Sequence, residues 1–344
     1  MQFGIFDQND HGLYGLTDQY EKRLALIELY DRSGFRTYHM SEHHSTPLNL
    51  TPSPSVFLAA VAQRTKRLRF GALIYVLPAH HPLRLAEEIC MLDHLSHGRI
   101  EVGIGRGASP HELDYFGVDS DVAQAMYVEA YQIIMQALTR DEVNFAGKHY
   151  RFSKVPIDLK PAQLPHPPLW YAVPVPEGAA WPAQNKINIV CAGPVARVRE
   201  ITDRYRTEWV AVGNPLDKLP LLGINRFVLV ADSDREAMAL GRRAWPKFHT
   251  SFMKLWRLHG TQPRFARMPE DFETLVEHGG GIVGSPATVR DRVRAMTEEA
   301  GANYFIGQFS FGDLAHEEVI HSVGLFAREV LPMTRGHVAQ AAGG

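Results

Sequence analysis

A glutamate and two histidines stand side by side directly after a predicted strand. The strand begins near Arg36 and ends at about Ser41, and Glu42-His43-His44 follows it. Histidine titrates near neutral pH, so it can transfer a proton or donate a hydrogen bond to a developing oxyanion. Because successive strand residues point to opposite faces, we expect only one of His43 and His44 to reach the end of the sheet as a catalytic side chain. The alternative is that both are structural.

Further histidines raise the question of a metal site. His80 and His81 are adjacent, and His94 and His97 are three residues apart in a predicted helix. Zinc sites often take two histidines from one helix face, with a carboxylate or thiolate from elsewhere. However, the His-Glu-x-x-His pattern is absent, and His97 stands directly before Gly98, a usual position for the end of a helix. We therefore predict no metal site.

A glycine-rich turn follows another predicted strand. The segment from Gly103 to Ala108 reads GIGRGA and formally fits the G-x-G-x-x-A pattern of dinucleotide-binding turns. Ser109-Pro110 interrupts the helix that this motif requires, and the turn follows the fourth predicted strand instead of the first. What remains is a nearly bare backbone beside the Arg106 guanidinium, which suits a flat ring and an anion. A purely structural turn is the alternative.

The order of the predicted elements indicates how these residues are positioned. Short runs of β-branched, aromatic and aliphatic residues alternate with longer segments of helical period, a pattern typical of parallel strands joined by crossover helices. About eight such strands close a (β/α)₈ TIM barrel, whose chemistry gathers at the carboxyl ends of the strands. The predicted strands are Gln2–Phe6, Arg36–Ser41, Leu68–Val76, Arg99–Ile104, Leu169–Val173, Ile187–Cys191, Ile224–Ala231 and Asn303–Phe309.

Two regions interrupt this alternation within one predicted barrel domain, 1–332. The first, 143–168, begins with a predicted hairpin around Gly147 and continues through several prolines, and we interpret it as an insertion on the barrel rim. The second, 254–282, contains Trp256, Phe265 and three consecutive glycines without clear periodicity. A long irregular segment of this kind is often an active-site lid, and a disordered loop is the alternative. The segment 333–344 is predicted to be a flexible tail.

Composition limits the classes of partner. The 344 residues carry a formal net charge of −2, with 45% hydrophobic residues and two cysteines. No basic cluster for nucleic acid, no polybasic membrane anchor and no apolar run of spanning length is present. We therefore expect no nucleic-acid or membrane partner and a cytoplasmic location. Cys90 and Cys191 are expected to be buried small residues rather than a disulfide framework.

Several sequence blocks together resemble the bacterial luciferase-like flavin monooxygenases, over Met1 to about Pro332. They are SEHH, GALIYVLPAHHPLRLAEEICMLDHLSHGR, EVGIGRG, HELDYFGVD, IVGSP and QFSFGDLAHEEVIHSVGLFAREVLP, in the order and with the spacing of that family. The resemblance implies a (β/α)₈ barrel that holds reduced FMN, forms a flavin C4a-hydroperoxide with O₂ and oxygenates a small organic substrate. It also implies a separate flavin reductase that supplies the reduced FMN, and a homodimer.

The resemblance also assigns roles to residues on one side of the predicted mouth. His43 corresponds to the family's active-site histidine and His44 to its supporting neighbour. Leu73-Ile74 falls where the family has a non-prolyl cis peptide under the flavin ring. Arg106 occupies the position of an arginine that binds the flavin phosphate.

Other positions depart from the family pattern. Gly105 stands where the catalytic luciferase subunit has a reactive cysteine, so we expect no light emission. Gln124 stands where a second phosphate-binding arginine is common. Val173, Pro174 and Val175 fall in the segment that borders the phosphate and ribityl chain, and proline has no N–H to donate there.

Two alternatives to FMN-dependent oxygenation remain open. One is an oxidoreductase that uses the deazaflavin F420 for hydride transfer without O₂. The other is a barrel without flavin, which serves as a partner subunit or binds a product. The identity of the substrate is not readable from the sequence.

Overall fold

The computed structural model describes residues 1–263 and 268–332 of the chain. Its strands are β1 Gln2–Asp7, β2 Thr37–Met40, β3 Arg69–Ala72, β4 Tyr75–Val76, β5 Val102–Gly105, β6 Glu142–Ala146, β7 Arg151–Pro156, β8 Leu169–Ala172, β9 Asn188–Cys191, β10 Leu222–Val230, β11 Gly281–Gly284 and β12 Tyr304–Gln308. Its α-helices are α1 Leu16–Ser33, α2 Pro54–Arg64, α3 Pro82–Leu95, α4 Pro110–Tyr115, α5 Ala123–Thr139, α6 Ala180–Gln184, α7 Val195–Ala211, α8 Asp234–Leu258, α9 Phe272–Glu277, α10 Pro286–Glu299 and α11 His316–Leu325.

The main sheet closes into the predicted (β/α)₈ barrel. Its parallel strands follow the order β3-β2-β1-β12-β10-β9-β8-β5-β4, and β11 pairs with the second half of β10. β3 and β4 are two halves of one barrel strand, because β3 pairs with β2 while β4 pairs with β5. A single parallel bridge between Phe70 of β3 and Ile100, just before β5, also connects β3 to the β5 side of the barrel. Strands occur at all eight predicted positions, so the barrel prediction is confirmed.

A compact apolar layer fills the barrel beneath the carboxyl ends of its strands. Five side chains from three strands and the junction of β3 and β4 meet there, namely Leu73, Trp170, Val190, Tyr304 and Ile306, each at most 8% exposed. Alternate residues of a barrel strand point inward, so the strands supply these side chains at period two. The layer forms the floor of any site at the mouth.

The predicted hairpin is present, but it lies against the outer helices. β6 and β7 pair antiparallel, and Glu129 of α5 accepts hydrogen bonds from the backbone N–H groups of residues 148–150. The ring of Phe152 packs edge-on against His81, just before α3. The hairpin follows α5, and a barrel helix returns the chain to the amino ends of the strands. The insertion therefore begins near the amino ends of the strands and extends to His81 before α3, and its interpretation as a rim insertion stays a prediction.

The segment 254–282 is more regular than the sequence indicates. It contains the last turn of α8, all of α9 and the start of β11, and Trp256 is buried. Helix and strand pieces of four to six residues are too short to show a period, and the run Gly279-Gly280-Gly281 resembles a turn although its last residue begins a buried strand. The prediction of an irregular segment is therefore wrong for these parts. Phe265 and the tail 333–344 lie outside the described residues.

Candidate active site at the barrel mouth

His43 and His44 both line one cavity at the carboxyl ends of the strands. The cavity has a volume of about 170 Å³. β2 ends at Met40, so the two histidines lie in the following loop, where the alternation of a strand no longer applies. The prediction that only one of them reaches the mouth is therefore wrong. The lining residues are Phe6, Ser41, Glu42, His43, His44, Leu73, Ile74, Val76, Ala79, Gly107, Ala108, Ser109, Glu112 and Leu113.

Glu42 is a buried carboxylate that fixes the His44 side of this cavity. It hydrogen-bonds to Nε2 of His44 and of His80, each at 2.9 Å, and it accepts the N–H of Val76 at 3.0 Å. Burial favours the neutral acid, but the hydrogen bonds with the two histidines outweigh it and lower the Glu42 pKa to about 2. Burial disfavours charge on His80 as well, yet the contact with Glu42 raises its pKa. Glu42 is therefore ionised at neutral pH and holds both rings in place.

Glu112 performs the corresponding task for His43. One carboxylate oxygen lies 3.1 Å from Nδ1 of His43, and the other accepts the N–H of His44 at 2.8 Å. The N–H of Glu112 in turn donates to the Ser109 side chain, which caps the start of α4. With Nδ1 directed at a carboxylate, Nε2 of His43 is left to exchange a proton in the cavity.

Leu73-Ile74 and the turn after β5 form a ledge, which bounds the cavity on another side. The Leu73-Ile74 peptide bond is cis, as predicted. A Cβ added at Gly105 would lie 2.3 Å from Cδ1 of Ile74, and one at Gly107 would lie 2.8 Å from Cγ1 of Val76. Both distances are far below van der Waals contact, so only glycine lets the β5 turn lie flush against Ile74 and Val76. A flat ring fits such a ledge.

Arg106 supplies a positive charge between these two glycines. Its guanidinium makes no hydrogen bond or ion pair with any residue in 1–263 or 268–332, and the side chain is only half-buried. Burial raises the pKa of Tyr171, and the nearby Arg106 opposes this rise. An arginine without a carboxylate partner next to a ledge for a ring can bind an anionic group of the same ligand.

The remaining residues predicted to contact a cofactor lie apart from the cavity. Gln124 is exposed in the first turn of α5, and Pro174 and Val175 are exposed before a 3-10 turn. Val173 is 2% exposed, packs in the outer core and donates its N–H to Val190. The structure therefore brings His43, His44, Leu73, Ile74 and Gly107 together around the first cavity, whereas Gly105, Arg106 and these four residues line neither mouth cavity.

A second cavity, of about 70 Å³, adjoins the first. The two share His43, Ala108, Ser109 and Glu112 as lining residues. The rest of its wall is almost entirely apolar and comes from the loop after β2 and the end of α8: Thr46, Leu48, Phe252, Leu255, Trp256 and Pro263. His43 therefore lies where a cavity of mixed polar and apolar lining meets one whose remaining wall is almost entirely apolar.

A polar clasp joins α4 to the end of α8 beside the second cavity. The rings of His111 and His259 stack at 4.1 Å with an interplanar angle of 9°. His111 Nε2 contacts the Thr261 hydroxyl at 2.8 Å, and Tyr115 contacts His259 Nε2 at 2.7 Å. These contacts hold the α8 wall of the apolar cavity against the helix that carries Glu112.

The sequence alone missed the carboxylates that orient the histidines. Ser109 and Glu112 have the spacing of a capping box, a signal for the start of a helix but not for a contact with His43. His80 drew attention as a metal ligand, whereas it binds Glu42. Among the residues that the structure describes, no group of three or more His, Cys, Asp or Glu side chains is arranged to hold a metal ion.

The fold and the mouth together define a class of protein. It is a (β/α)₈ barrel with two carboxylate-held histidines, a ledge at Leu73-Ile74 and an arginine that has no ion-pair partner within 1–263 or 268–332, a site suited to a flat anionic ligand and proton transfer. A model of the luciferase-like monooxygenase family matches residues 1–304. The chain belongs to this family, as the sequence blocks indicate.

Known relatives extend over most of the chain. It is 41% identical to protein y4wF of Sinorhizobium fredii over 331 residues, 96% of both chains. It is 28% identical to 4-hydroxyprotoasukamycin monooxygenase of Streptomyces nodosus over 326 residues, 91% of this chain and 86% of the relative. It is 31% identical to the oxygenase component of the flavin-dependent trigonelline monooxygenase of Acinetobacter baylyi over 222 residues, 63% of this chain and 61% of the relative.

Solved structures share the barrel. Monooxygenase RslO1 of Streptomyces bottropensis has a TM-score of 0.87 at 26% identity, with 97% of this chain and 100% of that chain covered. The oxygenating constituent of 3,6-diketocamphane monooxygenase of Pseudomonas putida, in complex with FMN, has a TM-score of 0.79 at 22% identity, covering 96% and 98%. The F420-dependent tetrahydromethanopterin reductase of Methanopyrus kandleri has a TM-score of 0.71 at 19% identity, covering 96% and 99%. No helix within 1–263 or 268–332 is both long and apolar enough to span a membrane.

Proposed function

We propose that this protein is the oxygenase of a two-component, FMN-dependent monooxygenase that oxygenates a small apolar organic substrate. A separate reductase would supply the reduced FMN, in line with the trigonelline relative named as an oxygenase component. The observation that carries the proposal is the position of His43. Its ring is held by Glu112 at the junction of the two cavities, one of which is bounded by the Leu73-Ile74 ledge.

The described residues fit FMN at both ends of the molecule. Gly105 and Gly107 let the β5 turn pack directly against Ile74 and Val76, and the isoalloxazine ring would lie against Leu73 and Ile74. The Arg106 guanidinium, which has no partner in the described parts of the chain, would bind the phosphate. Bound reduced FMN would supply the two electrons and the carbon centre at which O₂ is activated.

His43 would move the proton that oxygen transfer requires. Glu112 orients the imidazole through Nδ1, so Nε2 can donate a proton into the first cavity and take it back. Glu42 holds His44 and His80 as fixed neighbours, which keeps the polar side of the cavity from rearranging when charge develops.

The second cavity would hold the substrate next to His43. Five of the six lining residues that it does not share with the first cavity are apolar: Leu48, Phe252, Leu255, Trp256 and Pro263. A charged group would lose its hydration there without gaining a partner, so a neutral, apolar part of the substrate is favoured. The clasp between His111 and His259 would keep water from this side during reaction.

Cofactor titration is the decisive experiment. Under anaerobic conditions, purified protein is titrated with oxidised FMN, reduced FMN and F420, and binding is followed by calorimetry. Saturable binding of reduced FMN, followed by reoxidation on addition of O₂, is expected. Binding of F420 alone would identify the hydride-transfer enzyme, and binding of no cofactor would identify a flavin-free barrel.

Replacement of His43 tests its proton-transfer role. His43→Ala should slow the reaction of protein-bound reduced FMN with O₂ by about 100-fold, the size of a general acid–base contribution, or divert it to other products. FMN affinity and thermal stability should not change. His81→Ala, at the exposed position directly before α3, is the matched control. An equal loss of stability and rate would instead assign His43 a structural role.

Replacement of Arg106 tests the phosphate contact. Arg106→Ala should weaken FMN by about tenfold, the loss expected for one charge-assisted hydrogen bond. Riboflavin, which lacks the phosphate, should bind both proteins equally. An identical loss for FMN and riboflavin would exclude the phosphate assignment.

A further inference from the structure

Three amide side chains stand on three neighbouring barrel strands, two of them at the carboxyl ends and one in mid-strand, level with the apolar floor. Gln8 follows β1, Gln308 is the last residue of β12, and Asn225 lies in β10. These strands pair in the order β1-β12-β10, with Asn225 opposite Ile306 and Gln308 two pairs further along, opposite Phe227. We call Gln8, Asn225 and Gln308 the amide arc.

The arc faces the inside of the barrel. On β12, Tyr304 and Ile306 belong to the apolar floor, so Gln308, two residues later, points to the same side. Asn225 shares that side because its partner in the register is Ile306. Phe6 packs against the same floor and lines the first cavity, and Gln8 follows it by two residues.

Each member of the arc has a buried amide atom without a hydrogen-bond partner in the described parts of the chain. These atoms are Gln8 Oε1, Asn225 Oδ1 and Gln308 Nε2, and Gln308 is only 2% exposed. Buried polar groups in native proteins are nearly always partnered. Asn188, an amide at the opposite end of the barrel, follows that rule, since it donates to Leu169 and accepts from Leu221. Three unpartnered amides on one wall of the mouth therefore indicate a ligand.

The chemistry of the amide arc limits the class of ligand that it can bind. It offers both donors and acceptors, it is neutral, and it lies across the apolar floor from the Leu73-Ile74 ledge. A planar imide edge, in which an N–H stands between two carbonyls, matches neutral amide groups of this kind. We propose that the amide arc binds the pyrimidinedione edge of the flavin. Asn225 and Gln8 supply acceptors for the imide N–H, and Gln308 supplies a donor for a ring carbonyl.

This inference rests on the proposed function, and methylation of the flavin tests it separately. Wild-type protein is titrated with FMN and with N3-methyl-FMN, which lacks the imide N–H, and binding is followed by the quenching of flavin fluorescence. The wild type should bind FMN at least about tenfold more tightly than the methylated analogue, the loss expected for a hydrogen bond and a steric conflict.

Two variants locate the contact. Asn225→Leu and Gln308→Met should each weaken FMN while binding N3-methyl-FMN as the wild type does, so that the affinity ratio falls towards one. Their melting temperatures should stay equal or rise, because each substitution removes an unpartnered buried amide. Gln132→Met, exposed on α5, is the control and should leave both affinities unchanged.

The outcomes separate the inference from the function. Equal affinity of the wild type for the two flavins, or an unchanged ratio of the two affinities in both variants, overturns the proposal that the amide arc binds the flavin. Water would then be the ligand of these amides. Lower melting temperatures with an unchanged ratio also overturn it, because they assign the amides a structural role. If the wild type shows no saturable binding of either flavin, both the proposed flavin contact of the amide arc and the proposed function are overturned.

Discussion

Glu112 controls the position of two histidines at once. One oxygen contacts the His43 ring and the other receives the backbone N–H of His44, so the carboxylate fixes both the ring and the loop that carries it. A group that only filled space would not need two aligned acceptor oxygens. The role of Glu112 can therefore be tested with a substitution that keeps the size of the side chain and leaves its apolar contacts unchanged.

Glu112→Gln should reduce activity through the position of His43. The amide keeps the size of the side chain but replaces one acceptor oxygen with an NH₂ donor, which cannot accept from both His43 and the His44 N–H. We expect the reaction of bound reduced FMN with O₂ to slow by about tenfold to 100-fold, with FMN affinity unchanged. Stopped-flow absorbance measures the rate. Asp114→Asn, exposed on the same helix, is the control, and equal rates for both variants would refute the role of Glu112.

Single residues of the site were predictable only where the signal was local. His43 and Arg106 stand in short, distinctive blocks next to strand ends. Glu112 contacts His43 across 69 residues, and His80 contacts Glu42 across 38. Pairings of this kind depend on how the barrel closes, which no local pattern contains. Val173 packs in the outer core and donates its N–H to Val190, and its contact with a cofactor stays a prediction.

At the level of elements, the third barrel strand is the seam of the molecule. β3 pairs with β2 and β4 pairs with β5, and the ledge residues Leu73 and Ile74 lie between the two halves. The first half approaches its other neighbour very closely. A Cβ at Gly71 would lie 1.8 Å from the carbonyl oxygen of Glu101, a backbone atom in the opposite wall. Glycine at this position therefore lets the barrel close and the ledge form.

Gly71→Ala should destabilise the barrel by more than about 2 kcal/mol, at the upper end of the cost of overpacking, because backbone cannot move aside as a side chain can. Chemical denaturation followed by circular dichroism measures the change in the free energy of unfolding. Gly15→Ala is the matched control, since no atom lies within 4 Å of its added Cβ. A loss below about 0.5 kcal/mol for Gly71→Ala would show that the seam tolerates a wider spacing.

The regular elements followed from periodicity, and the irregular ones did not. Leu85, Ile89 and Leu92 have the spacing of one helix face and lie in α3, and Ser285-Pro286 has the pattern of a helix start and precedes the rest of α10. β11 was missed because its four residues, GIVG, begin and end with glycine and pair only with the far half of β10. A strand so short is stabilised by its neighbour, and its own sequence carries little preference.

At the scale of the whole molecule, the two ends of the described chain meet at a buried charged network. β1 pairs with β12, and the loops that follow these strands are joined by Asp10, which accepts the N–H of Gly312. Arg23 of α1 lies 3.2 Å from Asp7 and 3.4 Å from Asp10, and both carboxylates are essentially inaccessible to water. One guanidinium thus serves two buried acids.

This shortage of positive charge predicts how the stability of the fold depends on pH. Burial raises the pKa of Asp10 to about 7, although Arg23 and the N–H of Gly312 oppose the rise. Since the folded pKa exceeds the ordinary value of 3.8, the folded state binds this proton more tightly than the unfolded state. The stabilisation is complete below about pH 4 and is lost as pH rises towards 7, by up to about 4 kcal/mol.

Asp10→Asn should remove this dependence, because asparagine resembles the protonated acid and does not titrate. Urea unfolding of wild type and variant at several values between pH 4 and pH 8 gives the free energy of unfolding for each. We expect the wild type to lose stability towards pH 8 relative to the variant, whose curve should be flatter. Asp158→Asn, at an exposed position, controls for the loss of a surface charge. Parallel curves for wild type and Asp10→Asn would mean that Arg23 keeps Asp10 ionised throughout, so that the junction between the two ends of the barrel acts as a permanent ion pair.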